Sequence, residues 1–283
     1  MCATCGCSDG AGAVLRGTTA GLHVLADGTV HAHDHSDDYA HAGHSHEPAL
    51  DASGDSRTVT LERAVLAKND ALAATNRSWF AQRRILALNL VSSPGSGKTT
   101  LLERTIRDVG ARVPLVVVEG DQATENDSAR IRAAGGRALQ VNTGTGCHLE
   151  AETIGRAIAA LDPAPGSVVM IENVGNLVCP ALFDLGERAK VAILSVTEGD
   201  DKPAKYPHMF AAADLFVVNK IDLLPYVDFD VARAIAHARA VNPRLEVIAL
   251  SARTGENLEA WYAWLDRARA AGAAPAASSA EIR

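Results

Sequence analysis

The sequence predicts an α/β fold, a mostly parallel sheet with helices on both faces, preceded by a flexible Cys/His-rich N-terminal segment. Three observations predict it. From Ile85 onward, continuous apolar runs alternate with helical patterns. A glycine-rich loop, Ser92–Thr100, stands between the first run and the first of those helices. Residues 1–56 hold clustered Cys and His but few large apolar side chains. Apolar runs without polar alternation are what strands buried on both faces look like, and a parallel sheet between two helical layers needs such strands.

In chain order, residues 1–56 cannot bury enough surface to offset their chain entropy and are expected to be mobile. Residues 57–84 form a helical connector, with Leu61, Val65, Leu66, Leu72 and Ala73 recurring at three- and four-residue spacing from Thr58 to about Arg84. Residues 85–270 form one domain. Its strands are Ile85–Val91, Val113–Val118, Ala138–Val141, Val168–Ile171, Val191–Val196, Leu215–Val218 and Val247–Leu250. Its helices are Thr99–Val109, Asp127–Ala134, His148–Leu161, Val231–Val241 and Leu258–Arg269. In such a sheet, ligands sit at the carboxyl ends of the strands. The Ala/Pro/Ser-rich residues 271–283 are expected to be disordered.

Composition narrows the function. A net charge of −7 argues against a nucleic-acid or anionic-membrane partner. No apolar run approaches a bilayer span, and the N-terminus lacks the basic-then-apolar pattern of a secretory signal. A cytoplasmic protein is expected, in which cysteines stay reduced. Five cysteines, three of them within the first seven residues, then point to metal or redox work rather than disulfides.

Cys2, Cys5 and Cys7 form C-x-x-C-G-C, and three thiolates so close can reach one ion, with a terminal amine as a fourth donor. Thiolates and an amine suit Ni²⁺ or Zn²⁺. A redox C-x-x-C normally opens a helix in a folded unit, whereas this one lies at the start of the chain. His31, His33, His35, His41, His44 and His46, interleaved with carboxylates, make a low-specificity site for divalent ions suited to buffering or storage.

Ser92-Ser93-Pro94-Gly95-Ser96-Gly97-Lys98-Thr99-Thr100 fits the phosphate-binding P-loop, G-x-x-x-x-G-K-[ST], with Ser92 in place of the first Gly. Backbone N–H groups and a helix N-terminus attract phosphate. Lys98 is a point charge for the β- and γ-phosphates, and Thr99 offers a hydroxyl to Mg²⁺. Asn219-Lys220-Ile221-Asp222 is the N-K-x-D pattern that reads guanine, with Asp222 accepting from N1–H and the 2-amino group. Adenine lacks both donors, so it would leave that carboxylate unpaired. Ser251-Ala252-Arg253 resembles the S-A-K loop that meets guanine O6 through backbone N–H. Asp121 and Glu172 end strands and are the candidate Mg²⁺ carboxylates, Asp121 also for water activation. Glu172-Asn173-Val174-Gly175 stands where many GTPases have D-x-x-G, whose Gly N–H meets the γ-phosphate. No Gln follows Gly175 to orient water, so hydrolysis is expected to be slow. Cys147-His148, at a helix start that would favour the thiolate, and Cys179 could converge as a soft N/S site, completed by a second chain.

Together these motifs resemble the hydrogenase nickel-incorporation GTPases, the HypB family. The resemblance spans residues 57–270 and the N-terminal cysteine motif. It implies a P-loop GTPase of the SIMIBI class that forms a homodimer on binding GTP. It implies a high-affinity nickel site at Cys2, Cys5 and Cys7 and a weaker nickel or zinc site at Cys147, His148 and Cys179. The implied role is GTP-dependent insertion of nickel into the large subunit of [NiFe]-hydrogenase, together with a small zinc-containing nickel chaperone. The alternatives are a nickel storage or buffer protein and a urease-type accessory GTPase.

Overall fold

The structure, a computed structural model, describes residues 21–24, 30–33, 52–121, 126–142 and 148–273. The chain divides into two compact units, Met1–Glu62 and Arg63–Arg283. In the first, β1 (Gly21–Val24) and β2 (Val30–His33) pair antiparallel, His23 opposite His31 and Gly21 opposite His33. Most of the Cys/His-rich segment expected to be mobile over residues 1–56 lies outside the described residues. Leu22 and Val24, and Val30 and Ala32, alternate with polar or small residues at the strand period of two, a local pattern that overall composition conceals. The helix expected from Thr58 begins at Ala52. Cys2, Cys5, Cys7, His35, His41, His44 and His46 lie outside the described residues.

Helix α1 (Ala52–Gln82) leads into the second unit, where β3 (Leu86–Ser92), β4 (Leu115–Asp121), β5 (Arg137–Asn142), β6 (Val168–Glu172), β7 (Ala189–Ser195), β8 (Leu215–Asn219) and β9 (Glu246–Ala249) build one parallel sheet. Its order is β5-β4-β6-β3-β7-β8-β9. The helices between are α2 (Lys98–Val109), α3 (Asn126–Ala133), α4 (Ala151–Leu161), α5 (Cys179–Leu182), α6 (Lys202–Lys205), α7 (Pro207–Ala212), α8 (Val231–Val241) and α9 (Leu258–Ala273). Every residue of β3, β6, β7 and β8 is buried, because successive side chains enter opposite layers. Leu215 and Val217 of β8 pack with Leu101, Ile106, Trp261 and Leu265 from α2 and α9. Phe216 and Val218 face Phe210, Ala234 and Ala238 from α7 and α8. Ala87, Val116 and Val169 face Ile154 and Ile158 of α4 and Phe80 of α1. Helix α9 continues past Ala270 to Ala273, and residues 274–283 lie outside the described residues. Among the described residues no helix is long and apolar enough to cross a membrane.

Two differences from the sequence reading bear on the site. Helix α4 starts at Ala151, so His148 lies in the bend before it; the helix-start argument for Cys147 does not hold, and Cys147 itself lies outside the described residues. The buried stripe of α1 is Asn69, Ala73, Asn76 and Phe80, at helical spacing, while Val65 is exposed. The apolar periodicity caught Ala73 but not the stripe as a whole, because half of it is polar. Asn69 accepts from Ala151 N (2.9 Å) and donates to Asp184 O (2.7 Å). Asn76 donates to Ala151 O (2.8 Å) and Leu185 O (3.0 Å). Gly186 lets α1 come this near: it sits at φ 88, and a Cβ there would lie 2.6 Å from Ala73 O. Buried amides so paired are stabilising, and deleting one strands its buried partners. Asn76→Ala should destabilise the chain by about 2 kcal/mol. Thr75→Ala on the exposed face should change stability by less than about 0.5 kcal/mol, with urea denaturation midpoints as the check.

Candidate nucleotide and metal site

The P-loop leaves the carboxyl end of β3, the central strand, and enters the N-terminus of α2. Gly95 and Gly97 sit at φ 74 and 96, conformations that cost an L side chain steric energy. At Gly97 a Cβ would also lie 2.5 Å from Asn219 Nδ2. That contact shows what shapes the loop. Asn219, at the end of β8, donates through Nδ2 to Ser96 O (2.9 Å), while its Oδ1 accepts from Lys220 N (2.8 Å) and Ala252 N (3.1 Å). One buried amide thus ties the P-loop, the N-K-x-D loop and the Ser251–Arg253 loop together. Lys220 is held at φ 65, a conformation that costs a non-glycine residue about 1–3 kcal/mol. From there its Nζ donates to Gly95 O (2.7 Å). Asp222 Oδ1 accepts from Ser251 Oγ (2.6 Å), and Arg253 Nη1 lies 4.0 Å from Asp222 Oδ2. Sequence reasoning gave Arg253 a backbone role; its side chain also approaches the carboxylate.

A cavity of about 550 Å³ opens between the P-loop, Gly120, Arg130, Glu172–Gly175 and Lys220. Lys98 Nζ donates to Ser92 Oγ (3.0 Å), so the serine that departs from the motif supplies an acceptor for the loop lysine. Thr99 Oγ1 donates to Glu172 Oε1 (2.8 Å), bringing those two candidate ligands together. The Ser96 hydroxyl is buried with no hydrogen-bond partner among the described residues. Gly175 packs against Pro94, where a Cβ would meet Pro94 Cγ at 3.1 Å. The backbone of Asp121 ends β4 opposite Asn142, and its side chain lies outside the described residues.

Of the soft-site candidates, His148 and Cys179 are described. The His148 ring lies 3.8 Å, centroid to centroid, from Phe183, the residue just after α5, and Cys179 begins that helix. Cys179 is buried. Among the described residues no group of three or more His, Cys, Asp or Glu side chains gathers as a metal site, and the third candidate, Cys147, is outside them. Leu149, next to His148, packs on Gly120, where an added Cβ would lie 2.8 Å from its side chain.

The family model for the CobW/HypB/UreG nucleotide-binding domain matches residues 86–249. The hydrogenase maturation factor HypB of Rhizobium leguminosarum bv. viciae is 60% identical over 210 residues, covering 74% of this chain and 70% of that one. This chain belongs to the HypB family. Two solved HypB structures share its fold. That from Archaeoglobus fulgidus is 39% identical with a TM-score of 0.68, covering 72% of this chain and 99% of that one. That from Helicobacter pylori, solved in complex with nickel, is 36% identical with a TM-score of 0.69, covering 75% and 99%.

The HypB fold contains residues that the motifs did not flag. Lys202, the first residue of α6, donates to Ser93 Oγ (3.1 Å) and pairs with Glu198 (3.1 Å). The signal was its place at a strand's carboxyl end. Asn173, read only as part of a switch-like segment, is 2% exposed and accepts through Oδ1 from Leu149 N (3.2 Å) and Val174 N (3.0 Å). Burial lowers the His148 pKa below its ordinary 6.5, against the opposing pull of Glu150 3.9 Å away. A lowered pKa keeps the imidazole neutral and its lone pair available to a metal. The unfolded chain then binds more protons than the folded one as pH falls below 6.5, so this group subtracts stability on the acid side only. An NMR titration of His148 in the metal-free chain should give a midpoint below 6.5; a midpoint above it would contradict the burial argument.

Proposed function

We propose that this HypB chain is a GTP-hydrolysing nickel metallochaperone that delivers nickel to the large subunit of [NiFe]-hydrogenase during maturation. One observation carries the reading: Asn173 follows Glu172 at the phosphate end of the cavity and holds the amide next to His148 (3.2 Å). On this reading the segment that would respond to nucleotide and the residue that would bind metal are linked through one side chain.

In this reading the P-loop amides and the α2 N-terminus receive the phosphates, and Lys98 exchanges its Ser92 contact for the β- and γ-oxygens. The Gly175 N–H meets the γ-phosphate. Asp222, Lys220 and the Ser251–Arg253 loop read guanine, with Asn219 fixing their spacing. Thr99 and Glu172 are hard oxygen donors within 2.8 Å of each other, a donor set that fits Mg²⁺, and with Asp121 they would hold it. The ion, when bound, neutralises charge building on the phosphates. Asn176 stands where a water-orienting Gln would help, and its Oδ1 is engaged by Val178 N (2.8 Å), which favours slow turnover. Cys2, Cys5 and Cys7 form the tight nickel site, and the histidines from His31 to His46 form a reserve. Cys147, His148 and Cys179, a set suited to Ni²⁺ or Zn²⁺, are the site from which cargo leaves. The chain acts as a homodimer favoured by GTP, with the family's small zinc-containing nickel chaperone and the hydrogenase large subunit as partners. The nickel-bound Helicobacter pylori relative and the maturation-factor relatives support this reading.

Delivery requires nickel affinity to differ between nucleotide states, because a ligand blind to the difference shifts nothing. Lys98→Ala should abolish GTP hydrolysis and hydrogenase maturation while leaving tight nickel binding intact. In the full chain with Cys2, Cys5 and Cys7 changed to Ala, nickel affinity should differ about 5–150-fold between GDP and a non-hydrolysable GTP analogue. Unchanged maturation in Lys98→Ala, or equal affinities, would contradict the reading.

A further inference from the structure

Asn89 sits in the middle of β3 with no exposed surface, in a strand that is otherwise apolar apart from Ser92. Its amide must be satisfied inside the protein. Nδ2 donates to Glu187 Oε1 (3.0 Å), and Oδ1 accepts from Asn173 Nδ2 (3.2 Å). Each contact continues into further buried groups. Glu187 accepts from Leu185 N (2.7 Å) through Oε2, and its Oε1 pairs with Lys190 (3.7 Å). Lys190, beside Asn89 in the β3–β7 register, is 6% exposed and spends its charge on the carbonyls at the end of α5. It donates to Pro180 O (2.9 Å), with Phe183 O (3.4 Å) and Ala181 O (3.5 Å) also in reach. In the other direction, Asn173 reaches Val174 of the cavity-lining segment and Leu149 beside His148. The four side chains therefore join the Glu172–Gly175 segment to both described soft-site positions, His148 and the helix that starts at Cys179.

An apolar strand residue at 89 and an apolar pair at 187 and 190 would fill the same space without the desolvation that buried charges incur. We propose that Asn89, Glu187 and Lys190 are positioning residues, which with Asn173 transmit the state of the Glu172–Gly175 segment to the metal ligands. This rests on the delivery reading above. When γ-phosphate contacts pull that segment, Asn173 moves with it. Asn173 is held through both of its polar atoms, so Leu149 on one side and the α5 carbonyls on the other adjust together. A packed polar chain of this kind has few arrangements in which every member is paired, so it switches rather than deforms.

The test uses the full chain with Cys2, Cys5 and Cys7 changed to Ala. Of the five cysteines only Cys147 and Cys179 then remain, so any thiolate-to-nickel charge-transfer band reports the soft site and not the histidines. Chelator competition followed on that band gives nickel affinity with GDP and with a non-hydrolysable GTP analogue. Asn89→Asp keeps the acceptor for Asn173 but sets a carboxylate against Glu187. It should bring the affinity ratio between nucleotide states to within about twofold of one, with nucleotide affinity unchanged. Adding Glu187→Gln should restore the ratio: the introduced amide can donate to the new carboxylate while its oxygen still accepts from Leu185 N. Lys190→Met, which breaks the chain at its other end, should also collapse the ratio and decides the matter if Asn89→Asp does not fold. A parental ratio that survives in Asn89→Asp or Lys190→Met, or one that Glu187→Gln fails to restore, would overturn the relay alone. A parental ratio of one would overturn the delivery reading and the relay with it.

Discussion

The side chain of Asn219 is the constraint on which the nucleotide end depends. A carboxamide offers donors on one side and an acceptor on the other, and here both are used: Ser96 O takes the donor, while Lys220 N and Ala252 N share the acceptor. Three loops from distant parts of the chain acquire a fixed spacing from one residue at the end of a buried strand. Gly97 must lack a side chain because this amide occupies the space, and Lys220 can be held in a left-handed conformation because its N–H is captured. The P-loop glycine and the N-K-x-D motif are thus one structural unit.

Asn173 does the same work on the other side of the P-loop. Its backbone N–H donates to Leu90 O (3.0 Å), continuing the sheet ladder, and its side chain gathers Leu149 and Asn89. Helix α1 approaches the same region from outside, where Asn69 and Asn76 grip Ala151, Asp184 and Leu185. The segments carrying His148 and Cys179 are therefore held by buried amides rather than by apolar packing alone. Such contacts are directional and can be exchanged between discrete arrangements, whereas a close-packed apolar wall resists change.

Strands and phosphate-loop chemistry were legible because both are local in sequence. Each strand contains an apolar run, with polar residues such as Asn89, Glu119 and Lys190 among them, and these runs located all seven strands of the parallel sheet to within a few residues. The P-loop and N-K-x-D patterns are contiguous, and the fold places each at the carboxyl end of its strand. The inward face of α1 was not legible, since Asn69 and Asn76 read as solvent-facing until their partners are known. Helices α5, α6 and α7 are only four to six residues long, too short for a periodic signal, although each carries a proline near its start. Asn89 lies inside the apolar run Ile85–Val91, where nothing local marks it, and its partner Glu187 is 98 residues away. Pairings at that separation are fixed by topology, and local pattern does not encode them.

The central claim is that nucleotide state reaches the metal ligands through Asn173. Amide hydrogen exchange of the unsubstituted chain, resolved at Leu149 and Val174 and compared between GDP and a non-hydrolysable GTP analogue, tests it most directly. Both amides are held by Asn173 Oδ1, so the account predicts that their protection changes together while that of an amide deep in β8, such as Val217, does not. Protection at Leu149 that is the same with either nucleotide, while Val174 responds, would contradict the account.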